Sequence, residues 1–221
     1  MKKNITIIII VLLALGFGYF LFKISPEEKT KLPAEDFDLT GVTQLKEPAQ
    51  LGPDDHVMGN VNAKNTMVVY EDFQCPACLS FRPTVDQMPT VLTDTKVVFR
   101  HYPLIQIHQN AAFAAYASES ASAQGKFWEM YDQLYNHQSE WSNLADPNDK
   151  FAEYAGAAGV ANLDQFKSDL TSKKYKPRVQ KDIVEAVGLG VGGTPTLYFN
   201  GQLISPGTID QVKAQAEKLY K

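Results

Sequence analysis

Two cysteines stand three residues apart in the run Phe73-Gln74-Cys75-Pro76-Ala77-Cys78, and the 221-residue chain holds no others. Sulfurs at this spacing can pass between a dithiol and a disulfide. The thiolate is the form that attacks a disulfide. A free cysteine has a pKa of about 8.5, which a helix N-terminus or a neighbouring cysteine lowers. Pro76 suits the first turn of a helix. Cys75 then falls at a strand-to-helix junction, where unpaired N–H groups favour negative charge. Cys78 falls one turn further in. Cys75 is expected to be the exposed attacking sulfur and Cys78 the buried one that resolves a mixed disulfide.

Two other uses of a C-x-x-C pair compete with this one. Structural zinc takes four ligands. Two would have to come from His56, His101, His108 and His137, none of which forms an H-x3–5-H pair. A structural disulfide closing so short a loop stabilises little. The expectation is no metal and no bound cofactor, the redox group being the Cys75–Cys78 pair itself.

The elements that must position the cysteines follow from pattern. Thr66 to Tyr70 is β-branched and apolar, a strand that runs into the motif. The helix opened by Pro76 turns Cys78, Phe81, Val85 and Met88 inward at helical spacing, with a kink expected at Pro83. Lys96 to Tyr102 forms a second strand, closed by Pro103. Ala111 to His137 is helical with a break at Gly125, and 151–158, 163–170 and 177–187 are three further short helices. After Gly190-Val191-Gly192-Gly193-Thr194-Pro195 comes a strand at 196–199. Asn200-Gly201 signals a hairpin, Leu203-Ile204 an edge strand, and Thr208 caps a last helix to about Leu219. A strand–helix–strand unit and a strand–strand–helix unit give a mixed α/β sheet flanked by helices, with the helical block inserted between them.

The N-terminus reads differently. Asn4 to Phe22 is 19 residues without charge after Lys2 and Lys3, close to the roughly 20 that span a bilayer as a helix. The exit, Tyr19-Phe20-Leu21-Phe22-Lys23, is bulky and unlike a cleavage site. Residues 1–23 are expected to be a retained membrane anchor, 24–53 an extracytoplasmic tether rich in Pro, Glu, Lys and Thr, and 54–221 the folded domain, with its insertion at about 106–188. Net charge is −4. Three lysines and no acid lie in the first 23 residues, so the rest carries −7, against non-specific binding of nucleic acid.

The runs Asp55-His56-Val57-Met58-Gly59-Asn60, Val69 to Cys78, Phe99-Arg100-His101-Tyr102-Pro103-Leu104, Gly125 to Met130 and Gly192-Gly193-Thr194-Pro195-Thr196 together resemble the DsbA-like thiol-disulfide oxidoreductases of the thioredoxin superfamily, in particular their membrane-anchored, BdbD-type branch. The resemblance spans residues 55–220. It implies a thioredoxin-like fold with an inserted all-helical subdomain. It also implies a catalytic Cys75 and Cys78 supported by Pro76, Ala77, Thr194 and Pro195. In that family the proline equivalent to Pro195 is cis and faces the sulfurs, and the backbone before it can pair with an extended substrate strand. The implied activity is introduction of disulfides into cysteine-containing exported proteins. A quinone-linked membrane thiol oxidase would reoxidise the pair. A reductase or isomerase using the same site, or a non-catalytic or zinc-binding module, are the alternatives. Two departures stand out. Val69 occupies the position of a buried glutamate that many relatives carry six residues before the first cysteine, and neither Glu71 nor Asp72 clearly points inward. Ala77 stands where the strongest oxidants have histidine, which implies a less acidic cysteine. Phe127 and Trp128 are expected to be core, while His101 and Tyr102 end a strand near the site and fit a site role or a packing role equally.

The anchor expectation is open to a direct check. N-terminal sequencing of the protein recovered from host membranes should find residues 1–23 still attached, with the remainder digested by protease added outside the cell. A mature N-terminus beyond Phe22 would refute the anchor.

Overall fold

Residues Asn65–Glu71 are buried on both faces, which marks a central strand rather than an edge. The structure, a computed structural model, describes residues 37–221. The expected anchor at 1–23, and the first part of the tether, lie outside the described residues. Among those residues no helix is long and apolar enough to cross a membrane.

The central strand, β2 (Asn65–Glu71), runs parallel to β3 (Thr95–His101), with Asn65 opposite Thr95 and Glu71 opposite His101. Helix α1 (Pro76–Val91) connects them and carries Pro83 and Pro89 within one continuous element. On the other side β4 (Thr196–Phe199) lies antiparallel to β2, Tyr70 facing Thr196. β5 (Gln202–Ile204) pairs with β4. The strand β1 (His56–Met58), absent from the sequence reading, pairs antiparallel with β3 at the far edge. The order is β1-β3-β2-β4-β5. Asn200 and Gly201 both sit at positive φ, +49° and +86°, as a two-residue hairpin turn requires.

Between β3 and β4 come six helices: α2 (Ala111–Ser122), α3 (Phe127–Asn136), α4 (Gln138–Trp141), α5 (Asn148–Ala157), α6 (Leu163–Thr171) and α7 (Lys176–Gly188). Gly125, at φ +72°, ends the first of them as expected. The closing helix α8 (Ile209–Ala216) starts with a capping box between Thr208 and Gln211, and stops three residues short of the expected end.

Strand alternation sorts the core. Met67 and Val69 pack with Phe81, Val85 and Met88 of α1 and Val212 of α8. Val68 and Tyr70 face Ala186 of α7. Residues 37–53, read as tether, are not all free of the domain. The Leu45 N–H donates to the Gly188 carbonyl at 2.8 Å, and the Ala49 N–H donates to Glu185 at 3.1 Å. A Cβ at Gly188 would stand 2.7 Å from the Thr43 carbonyl oxygen, so only glycine lets this arm lie down on α7.

One buried charged cluster joins the arm, the sheet and α7. Arg100, almost fully buried, pairs with Asp55 through both guanidinium nitrogens, and lies 3.6 Å from Asp182 and 3.5 Å from Glu185. Tyr70 donates its hydroxyl to Glu185, and Arg178 holds Asp182 at 2.5 Å. Such a cluster is weak evidence of net stabilisation, but removing one member strands the others without countercharge at a cost of roughly 3–5 kcal/mol. Arg100→Met should therefore lower unfolding free energy by about that much in urea titration. A loss under about 1 kcal/mol would show that the carboxylates find water or protons instead.

Candidate functional site

The β2–β4 pairing brings the ends of two distant segments together. Cys75 follows the end of β2 as the N-cap of α1, with Pro76 in the first turn. The Cys75 N–H turns back to the Asp72 carbonyl at 3.0 Å. The Thr194–Pro195 bond, just before β4, is cis. It sets the Thr194 carbonyl oxygen 3.4 Å from Cys75 Sγ. The residues singled out from the two halves of the sequence thus share one site, with Pro76 and Ala77 exposed on its rim. Both cysteines are free thiols.

The two sulfurs have opposite acidities. Cys75 is lowered to about 5, first by the hydrogen bond from the Cys78 thiol; the Thr194 side chain and the N–H groups of Cys78 and Ala77 add to this, while burial opposes it. The Thr194 hydroxyl has no hydrogen-bond partner, so it is available to a thiolate. Cys78 is pushed far up by burial, by its bond to Cys75 and by the nearby Glu71. Cys78 is fully buried, as expected. Cys75, expected to be exposed, retains only 6 % of its accessible surface, because the Thr194–Pro195 segment covers it.

Two acids read as not clearly pointing inward are both buried. Glu71 shares the β2 face of Val69, one pleat closer to the motif. Its carboxyl is raised to about 8 by burial, opposed by the Tyr135 hydroxyl 3.3 Å away. Its second oxygen has no hydrogen-bond partner. Asp72 accepts from the Gln74 N–H at 2.7 Å, from the Leu104 N–H at 2.9 Å and from His108 Nδ1 at 2.6 Å. Helix α4, also absent from the sequence reading, contributes Gln138, which donates to the carbonyls of Phe73 and Cys75 at 2.8 and 3.1 Å. No spacing in the sequence links Gln138 or His108 to the cysteines. Only the fold does.

Phe127 is core, packed against Phe99 and His56, and Trp128 is half-buried beside it. His101, open to either role in the sequence, packs against Phe73 and Phe99. Its Nε2 and that of His56 both meet Glu119 Oε1 at 2.8 Å, with Arg178 Nε 3.8 Å from the same oxygen. Burial favours the neutral Glu119, but hydrogen bonds from His101 and His56 outweigh it and hold the carboxylate well below its usual range.

Comparison with known proteins agrees with this layout. The sequence profile of the family described as Thioredoxin matches residues 52–218. The structure is similar to that of oxidised BdbD from Bacillus subtilis, with TM-score 0.67 and 23% identity over 80% of this chain and 97% of that one. It is also similar to the thiol-disulfide exchange protein alpha-DsbA2 from Wolbachia pipientis, with TM-score 0.64 and 19% identity over 76% and 88%. Curated relatives include a protein named Na(+)/H(+) antiporter NhaA 1 from Mycolicibacterium vanbaalenii, 36% identical over 90% of this chain but 31% of its own length. One named Na(+)/H(+) antiporter NhaA 3 from Salinispora tropica is 38% identical over 73% of this chain and 24% of its own. The chain therefore spans less than a third of the length of these curated relatives.

Glu71 gives the site a pH signature. Its carboxyl is held protonated in the fold up to about pH 8, whereas an unfolded glutamate ionises near 4.3. The folded state binds the extra proton between those values, so this residue's contribution to stability falls as pH rises through that window. Glu71→Gln removes the penalty. The reduced variant should match wild type in urea at pH 4 and exceed it by a few kcal/mol at pH 8.5. A pH-independent difference would mean that Glu71 is not the titrating group.

Proposed function

The chain belongs to the thioredoxin family, and on that footing we propose that it is an extracytoplasmic thiol-disulfide oxidoreductase that introduces disulfides into exported proteins through Cys75 and Cys78. The observation that carries the reading is the split between the sulfurs, one lowered to about 5 and the other pushed far up. A thiolate stable at neutral pH stabilises the dithiol state, and a stabilised dithiol makes its disulfide a better oxidant.

The geometry supports the following course. With the pair oxidised, a client thiolate attacks Cys75 Sγ, the sulfur nearer solvent. The Cys75–Cys78 bond breaks, a Cys75–client disulfide forms, and Cys78 leaves with the electron pair. Its high proton affinity means that it leaves best by taking a proton. Protonated Glu71 is the neighbouring buried acid that can give one, and it takes one back when Cys78 next attacks. A second client thiolate attacks the client sulfur of the mixed disulfide. Cys75 departs as a stable thiolate, and the client keeps the disulfide. Two electrons now rest on the dithiol. A thiol oxidase in the membrane, linked to quinone, is the partner class that would remove them. An extended client strand can pair with the backbone at Thr194 while its sulfur meets Cys75. The curated relatives match most of this chain but under a third of their own length, and the reading extends to this chain alone.

Two measurements test this. In the reduced protein, iodoacetamide should label Cys75 with a rate that plateaus above about pH 6 and halves near pH 5, leaving Cys78 unmodified. Equal labelling, or a midpoint near the free-thiol value of about 8.5, would overturn the assignment. Equilibration with glutathione should give a potential between about −270 mV, that of thioredoxin, and about −120 mV, that of the strongest periplasmic oxidant. A value at or below thioredoxin's would assign the site to reduction instead.

A further inference from the structure

The motif contains no cation. Pro76 and Ala77 fill the two positions between the cysteines, no basic side chain occurs in the first turn of α1, Pro76 to Leu79, and the buried acid beside the turn, Asp72, has the wrong sign to favour a thiolate. Electrostatically, Asp72 ought to work against Cys75. The fold answers this from the loop after β3.

That loop is stitched to the motif at three points. Asp72 Oδ2 accepts the Leu104 N–H at 2.9 Å and His108 Nδ1 at 2.6 Å, and Gln74 Oε1 accepts the Asn110 N–H at 2.8 Å. The same Asp72 receives the Gln74 and Cys75 N–H groups on its side chain and carbonyl. One residue thus holds both the turn that presents Cys75 and the imidazole of His108. His108 keeps 15 % of its side-chain surface, so it exchanges protons with solvent while Asp72 sets its orientation. The bond to Asp72 raises the proton affinity of His108, burial opposes this, and further Coulombic attraction to Asp72 and Cys75 adds to it. Asp72 and Cys75 are the titratable groups, among the described residues, that act on this imidazole.

We propose that His108, clamped by Asp72, is a positioning residue that supplies the positive charge missing from C-P-A-C and so stabilises the Cys75 thiolate and sets how oxidising the pair is. The inference rests on the proposed redox role of the pair. It has a reciprocal consequence, because a coupling between two sites acts equally on both. The imidazolium favours the thiolate, and the thiolate favours the imidazolium. Oxidation turns Cys75 into a neutral disulfide sulfur and removes that half of the attraction. His108 therefore binds its proton more tightly in the reduced protein than in the oxidised one. Between the two pKa values, reduction by two electrons brings up to one proton onto His108 in addition to any taken up by sulfur.

The test uses the full chain and two readouts. The first is the His108 titration followed by NMR in the wild type. The reduced form should titrate at higher pH than the oxidised form, and identical titrations would overturn the proposal with no variant required. The second is His108→Gln, which keeps a polar side chain but no charge. The Cys75 thiolate absorbance should then titrate about one unit higher, and the glutathione equilibrium should shift up to tenfold toward the disulfide, about 30 mV lower. Adding Ala77→His to this variant should restore both by returning an imidazole to the exposed rim. If His108→Gln folds and leaves the Cys75 titration unmoved, the proposal is wrong even though exchange with glutathione persists. If the wild type does not exchange with glutathione at all, the proposed function fails, while the two titrations still decide the role of His108.

Discussion

The register of β2 against β4 is the constraint on which the site depends. Tyr70 faces Thr196, so the end of one strand and the start of the other lie side by side, although 126 positions separate the two residues in the chain. Everything that follows β2 and everything that precedes β4 must then meet at one edge. Cys75 and Thr194 are those residues. A slip of one position would reverse the faces of Val69 and Glu71, taking the apolar side chain out of the core and the acid away from Cys78. The buried faces of β2 make that slip expensive, so packing far from the sulfurs holds their geometry.

Around this edge the inserted helices serve as a clamp. Gln138 holds the carbonyls on either side of the motif turn, Asn110 binds Gln74, and Tyr131 and Tyr135 pack on Phe73. A turn so tied loses little freedom when a client sulfur arrives. The same helices exclude water from Cys78 and Glu71, which drives both toward their neutral forms. Burial and hydrogen bonding therefore pull in opposite directions on two sulfurs one helical turn apart. The chemistry rests on that asymmetry rather than on any single strong contact.

The helices and strands that repeat a period were legible in the sequence, as was the pairing of Cys75–Cys78 with Thr194–Pro195. Proline, glycine and capping signals are local, so Gly125, Asn200-Gly201 and Thr208 announced their turns. What stayed hidden was non-local. Strand β1 is three residues long and gains its identity from β3. The four-residue helix α4 is too short to show a period. Glu71 and Asp72 looked like strand-end acids because nothing in their neighbours shows which side of the sheet the insertion will cover. His108 lies in a stretch with no pattern at all, and its meaning comes entirely from Asp72, 36 residues away.

The contact between the N-terminal arm and α7 has a mechanical consequence. Glycine at 188 lets the arm approach to backbone distance, and the Leu45 N–H fastens it there. A pull on the arm enters the domain along this seam and loads α7, and through Asp182 and Glu185 the Arg100 side chain of β3. Gly188, where the arm is fastened, stands six residues ahead of Thr194 in the chain, so the same load has a covalent route to the wall of the Cys75 site.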